Sequence, residues 1–274
     1  MRQKLRPGLS VFLFLIMVLC IFPFAWMVIS SFKDSREIMT VPPTFVPHSP
    51  TVEHYGDVVT KTYIPRYFLN STIVASGSTL IALLFAILGG YGFARHRFRG
   101  KNFLQQAVLS SQMLPTAAVI VPLFIILRTL HLLNTYLGLI LAYLIVTLPL
   151  SVWMITGYLR GIPEEIEEAA YIDGCSRVGI LMRVILPISV PGILATAVYC
   201  FVVTWNEFIF ALSFATQRSV MTLPIGLAEF TKEFVTDWGG LMAASVIMTL
   251  PIATVFLVIQ RAFISGLTSG AVKG

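Results

Sequence analysis

Charged residues are scarce in this chain of 274 residues: Asp, Glu, Lys and Arg together make up 12%. Set beside 57% hydrophobic residues and a mean hydropathy of +0.85, that shortage excludes a soluble core of this length, so lipid must solvate much of the surface. Cysteine is nearly absent too. Cys20 and Cys200 fall inside apolar runs and Cys175 in a loop, which excludes a disulfide framework and makes the buried thiols small apolar fillers. The four histidines, His48, His54, His96 and His131, are scattered over three loops without metal-ligand spacing. Phosphate-loop, dinucleotide-fold, nucleophile-elbow and zinc-protease motifs are all missing. Without a nucleotide site the chain shows no energy source of its own, so if it pumps, another subunit must hydrolyse the fuel.

What is present is oil in long pieces. A helix needs about 20 apolar residues to cross ~30 Å of hydrocarbon, because every backbone N–H and C=O must be paired internally. Six segments qualify, at about 9–32, 68–95, 103–128, 136–160, 185–212 and 239–263. A β-barrel would show short alternating strands instead. The fold class is therefore all-α, a polytopic membrane protein with about six transmembrane helices, and residues 1–274 read as a single transmembrane domain. The first span follows Arg2, Lys4 and Arg6 as a signal peptide would, but its apolar run is long and lacks an A-x-A cleavage site, so it reads as a retained anchor.

Cations resist translocation and so orient the spans. The amino-terminal group, Arg95, Arg97, Arg99 and Lys101 in the second loop, Arg160, Arg177 and Arg183 in the fourth, and Arg261 and Lys273 in the tail account for twelve of the 19. Both termini are expected on the cytoplasmic side. The net charge of +6 is spread along that face with no compact basic domain, which argues for anionic headgroups and against nucleic acid.

One stretch, Pro163 to Pro187, breaks the apolar pattern with five acids. Pro163 fits a first helical turn, Glu164, Glu165, Glu167 and Glu168 crowd the positive end of the helix dipole, and Gly174 stands where a left-handed residue would stop a rod over about 163–173. Ile162, Ile166, Ala169, Ala170 and Asp173 form a narrow face on it. Glu164 and Glu168 at i, i+4 repel, and an external basic surface would relieve them. Periodicity alone fits a solvated interfacial helix equally well.

The spacing is more specific than the periodicity. Glu168-Ala169-Ala170, three residues, Gly174, nine residues, then Val184-Ile185-Leu186-Pro187 resembles the EAA signature of permease subunits of binding-protein-dependent ABC importers, departing only by Val184 where the signature has Ile. Asn70-Ser71, Tyr91-Gly92-Phe93-Ala94-Arg95, Asp173-Gly174, Trp205-Asn206-Glu207-Phe208 and the terminal Gly270-Ala271-Val272-Lys273-Gly274 are similar to the carbohydrate-uptake branch, in its maltose-permease-like class. The resemblance implies a type I ABC importer permease fold in a bacterial cytoplasmic membrane. It implies a coupling loop at about 161–184 that docks in a cleft of an ATPase subunit through Glu164, Glu165, Glu168, Ala169, Ala170, Asp173, Gly174, Leu186 and Pro187. It further implies a homologous permease partner, two ATPase subunits holding ATP and Mg, an extracytoplasmic solute-binding protein and a sugar or oligosaccharide as cargo, with no cofactor on this chain. A membrane-embedded enzyme or passive channel is the alternative, disfavoured by the absence of paired carboxylates, His clusters and a repeated pore-lining pattern.

Polar residues at membrane depth are expensive and mark candidate paths. Ser110, Gln112, Asn206 and Glu207 are the candidates for sugar contact, with Ser76, Ser78, Thr79, Ser111 and Thr204 beside them; Trp205 and Glu207 read equally as interface anchors. Pro23, Pro115, Pro122, Pro149, Pro187 and Pro251 can each kink a span. Outer loops are expected at about 33–67, extended by Pro42, Pro43, Pro47 and Pro50, and at about 213–238, facing the solute-binding protein or serving as a connector.

Overall fold

The computed structural model describes residues 7–231 and 236–271. Arg2, Lys4 and Arg6, Lys232 and Glu233, and the tail Val272-Lys273-Gly274 lie outside the described residues. Helices dominate: α1 (Pro7–Ser31), α2 (Ser35–Ile38), α3 (Glu53–Lys61), α4 (Ile64–Arg95), α5 (Lys101–Ser110), α6 (Thr116–Thr129), α7 (Tyr136–Arg160), α8 (Glu165–Ile172), α9 (Arg177–Ile180), α10 (Leu186–Ile188), α11 (Val190–Trp205), α12 (Ile209–Phe214), α13 (Leu223–Ala228) and α14 (Trp238–Ala271). Among the described residues the only β pairing is one isolated bridge between Thr231 and Thr236. The expected all-α class holds.

Among the described residues, four stretches are unbroken and long enough to cross a bilayer: Gly8–Ser31, Ile64–Arg95, Tyr136–Arg160 and Trp238–Gln260. The other two expected spans are not straight helices. Lys101–Met113 and Thr116–Thr129 meet at 100°, and Arg177–Ile188 and Val190–Trp205 at 77°. Six spans result if each bent pair counts as one. At the first break Pro115 cannot donate a backbone hydrogen bond and Leu114, ahead of it, is extended at ψ 127°. At the second, Pro191 sits one residue into α11, where it can make no bond to the Pro187 carbonyl, and a π-helical turn over Leu181–Ile185 precedes the bend. This span also ends sooner than expected, since Asn206 closes α11 and α12 starts anew at Ile209. Pro23, Pro122, Pro149 and Pro251 lie inside continuous helices instead.

The chain separates into two compact units. The first takes the chain up to Arg66 and returns over Gly226–Leu250. Along α1 the side chains from Leu9 to Phe24 are exposed, as suits a helix whose solvent is lipid. The following loop, read as merely extended, is folded around Lys33. That side chain is buried at 1% exposure, donates to the Thr44 carbonyl at 2.5 Å and lies 4.3 Å from the Trp26 ring centre. Glu37 gathers the Thr44 hydroxyl at 2.7 Å and the His48 backbone N–H at 3.1 Å.

The second unit, Tyr67–Ile225 with a return from Pro251, carries most of the core. Helices α4 and α7 approach closely because α4 offers small residues. A Cβ on Gly90 would stand 2.7 Å from Ile155 Cγ2, and one on Gly77 2.8 Å from Ile140 Cδ1. Two apolar clusters flank this seam. One joins Val74, Leu127, Leu139, Tyr143, Phe210 and Phe214. The other joins Ala86 of α4, Ile155 and Leu159 of α7, and Ile180, Leu181 and Ile185 of the segment that precedes α10.

Candidate functional site

The acidic stretch folds as a short rod, one turn tighter than the expected 163–173. Helix α8 runs Glu165–Ile172 with Glu164 at its N-cap, placing Glu165, Glu167 and Glu168 in the first turn, where each is worth about 0.3–1 kcal/mol against the helix dipole. Its end is built as the sequence requires. Gly174 takes φ +85°, Cys175 N–H bonds to the Ala170 carbonyl at 3.1 Å and Gly174 N–H to the Tyr171 carbonyl at 3.0 Å, a Schellman closure. Ser176 then caps α9 by accepting the Gly179 N–H at 3.2 Å.

The rod has two unlike faces. Glu165, Glu168, Ala169 and Ile172, spaced i, i+3, i+4, i+7, are all exposed, with Ile172 at 84% and its neighbour Tyr171 at 66%. The opposite face turns into the chain. Ala170 packs with Cys175, Val184 and Leu186 against the Ile155, Leu159 and Ile180 cluster, beside buried Ile162. The expected narrow face of Ile162, Ile166, Ala169, Ala170 and Asp173 is thus divided, with Ile162 and Ala170 inward and Ile166, Ala169 and Asp173 outward. Leu186 belongs to the inner packing, and Pro187 is exposed beside the 77° bend.

Sequence reasoning missed Glu167. Its carboxylate accepts the Tyr91 hydroxyl at 2.8 Å and forms an ion pair with the Arg95 Nε, while an Arg95 terminal nitrogen donates to the Ile162 carbonyl at 2.9 Å. The Arg95 and Glu167 side chains are 8% and 14% exposed. The available signal was Arg95 itself, a cation at the end of an apolar span with an unassigned partner.

The four candidate path residues share one property: each stands where a helix is interrupted. Ser110 ends α5, and Gln112 lies in the 3-10 turn after it and donates to the Val146 carbonyl of α7 at 2.8 Å. Asn206 ends α11 and donates to the Val202 carbonyl at 2.8 Å. Glu207 accepts the N–H groups of Phe210 and Ala211 at 2.9 and 3.1 Å and so starts α12. Gln112 and Asn206 thus each bond a helix carbonyl, and Glu207 satisfies two of the N–H groups that open α12. No hydrogen bond among the described residues joins the Ser110 and Gln112 pair to the Asn206 and Glu207 pair. Trp205, read as a possible interface anchor, is buried at 1%, stacked on Phe201 and edge-on to Phe68. Ser78 and Thr79 are buried as well.

At the other end of α4 lies a second set of contacts. Fully buried Asn70 donates to the Ser219 and Met221 carbonyls at 3.0 and 2.8 Å and accepts the Tyr136 hydroxyl at 2.7 Å. Ser71 accepts the Leu223 N–H at 2.7 Å. Asn134, left-handed at φ +56°, accepts from the Thr216 and Gln217 N–H groups at 2.7 and 3.0 Å.

The fold and the site define a multi-pass helical membrane protein with broken spans and an acidic, two-faced loop helix. The family described as "Binding-protein-dependent transport system inner membrane component" matches residues 82–269, and the chain belongs to it. It is 37% identical over 277 residues to the inner membrane ABC transporter permease protein YcjP of Escherichia coli, covering 100% of this chain and 98% of that one. It is 38% identical over 263 residues to the trehalose/maltose transport system permease protein MalG of Thermococcus litoralis, covering 95% and 94%. In fold it is similar, at a TM-score of 0.81 and 19% identity over 93% of this chain and 94% of the other, to a chain of a bacterial ABC transporter involved in the import of the acidic polysaccharide alginate. The chain is a permease subunit of an ABC importer and not an enzyme.

Proposed function

We propose that this chain forms, with a homologous permease, the membrane path for a sugar or oligosaccharide, and that α8 is the point at which a separate ATPase drives it. The observation that carries the reading is the exposed i, i+3, i+4, i+7 face of α8. Two carboxylates flank an alanine that permits close approach, and an isoleucine stands 84% exposed on a loop whose acids keep it out of lipid. Such a face fits a cleft with an apolar floor and basic rim. Two ATPase subunits holding ATP and Mg would supply it, and closure of that pair would move α8. The relatives whose names specify trehalose and maltose support a neutral sugar as cargo, and the alginate transporter solved with a substrate-bound periplasmic protein supports delivery by an extracytoplasmic binding protein. With α8 and the Arg95 to Lys101 cluster inside, both termini are cytoplasmic.

A photo-crosslinker placed at Ala169 tests the docking reading in membranes where the full set of subunits is expressed. Capture of an ATPase subunit is expected. Its absence from membranes that take up radiolabelled trehalose or maltose overturns the assignment of α8.

A further inference from the structure

The covalent routes out of α8 are both bent. Backwards the chain passes through the turn at Gly161 and Ile162 to α7, and forwards through the left-handed Gly174 to α9. Helix α4 is far from α8 in sequence, yet three polar groups meet across 72 to 76 residues: Arg95 and Tyr91 of α4 and Glu167 of α8. Arg95 also holds the Ile162 carbonyl on the approach to α8, so one guanidinium grips both the rod and the turn leading to it. Ala86, Ile87, Tyr91, Phe93 and Ala94 of α4 pack in the same cluster as Ala170.

Resting on the docking reading above, we infer that Glu167 is the positioning residue that makes α4 move with α8. Apolar contacts are non-directional, so packing restrains α8 against α4 less sharply than hydrogen bonds of fixed geometry do. A carboxylate bound by one guanidinium nitrogen and one phenol, in a place nearly closed to water, has a single geometry and loses both bonds on any displacement of a few ångström. Helix α4 is continuous for 32 residues. Its other end is fixed by Asn70 and Ser71 to the backbone of the Ser219–Leu223 segment, about 37 Å away by helix rise. A displacement of α8 is thereby delivered to the far side of the second unit by one rigid element, with Glu167 as the grip.

The test uses the complete reconstituted complex with spin labels at Leu88 of α4 and Tyr171 of α8, measured nucleotide-free and after trapping with Mg-ATP and vanadate. In the unsubstituted chain the label distance should be narrow and the same in both states. In Glu167→Gln it should differ between the states, and solute carried per ATP hydrolysed should fall about tenfold, an ordinary coupling energy, while capture from Ala169 is unchanged. An unaltered distance and yield in Glu167→Gln overturns the inference. If that variant fails to assemble, Tyr91→Phe decides, since it keeps the ion pair and removes one bond: a smaller loss of yield with intact capture supports the grip, and no loss overturns it. Should the unsubstituted chain capture no ATPase, the docking reading falls and takes the grip with it; should it capture one while both variants match it, the grip alone falls.

Discussion

The two ends of α4 are fastened by different chemistry. At the Asn70 end every bond is neutral, between Asn70 or Ser71 and either the backbone of the Ser219–Leu223 segment or the Tyr136 hydroxyl; at the Arg95 end every bond has a charged side chain, Arg95 or Glu167, on at least one side. The difference follows from what each end holds. A loop without regular structure, buried beside Val220 and Thr222, has carbonyls that its own backbone does not pair, and an amide with two donors and an acceptor answers them with no charge to desolvate. Helix α8 is gripped instead through the Glu167 side chain and the Ile162 carbonyl ahead of it, and a charge-assisted bond holds such a grip more strongly than a neutral one. One end completes the fold; the other sets a register.

Breaking the neutral end should have the larger effect on stability. Asn70→Ala removes two amide donors and one acceptor that tie fully buried Asn70 to the Ser219 and Met221 carbonyls and the Tyr136 hydroxyl, at about 3 kcal/mol. The expected outcome is a lower unfolding temperature in detergent, insensitive to salt. A loss matching a surface substitution, within about 0.5 kcal/mol, would show that water replaces the amide and that this end is open.

The body of α4 separates the two ends, and overfilling it should affect both. Gly90→Ala brings a methyl group to 2.7 Å from Ile155 Cγ2 and 3.2 Å from the Thr156 nitrogen. Overpacking costs typically about 1–3 kcal/mol, so Gly90→Ala should fall somewhat short of Asn70→Ala in lost stability while lowering transport as well. Stability assays and uptake in the same vesicles check this, and unchanged uptake would mean that the seam between α4 and α7 is slack.

Much of this was legible in the sequence, and the failures have a common cause. Six spans, the acidic rod, its Gly174 stop and the importer signature could be read from hydrophobic runs, helix caps and spacing, because each is a local pattern. The breaks at Pro115 and before Pro191 were not, since prolines that bend a span and those absorbed in α1, α6, α7 and α14 look alike until neighbouring helices decide which freed carbonyls find partners. Glu167 was hidden among four glutamates because its role depends on Arg95, 72 residues away. Asn206 and Glu207 were rated for the path on depth alone, and their hydrogen bonds to Val202, Phe210 and Ala211 show the local need they meet.

The outer face of α8 sharpens the contrast between holding and docking. Ile172→Ser removes an apolar side chain that touches solvent, so unfolding should shift by less than about 0.5 kcal/mol, whereas capture of the ATPase from Ala169 should drop severalfold. A stability loss without a capture loss would place Ile172 in the fold and move the docking face elsewhere on the loop.

The smallest effect is expected at Glu37, a carboxylate clasp that spans only eleven residues and so can order a loop but transmit nothing. The Thr44 hydroxyl, then the His48 side chain, hold its pKa down to about 2 from the ordinary 4.5. A depressed carboxylate contributes stability that is fully present above its unfolded pKa and fades as pH falls through the folded one, so the clasp should be intact at pH 6 and loosen progressively below about pH 4.5. Hydrogen exchange at the His48 amide, which donates to Glu37, should lose protection across that window after correction for intrinsic rates. Glu37→Gln should be unprotected and flat over the same range; protection that persists unchanged to pH 3 in the native chain would show that Lys33 and its bond to the Thr44 carbonyl hold the loop without the carboxylate.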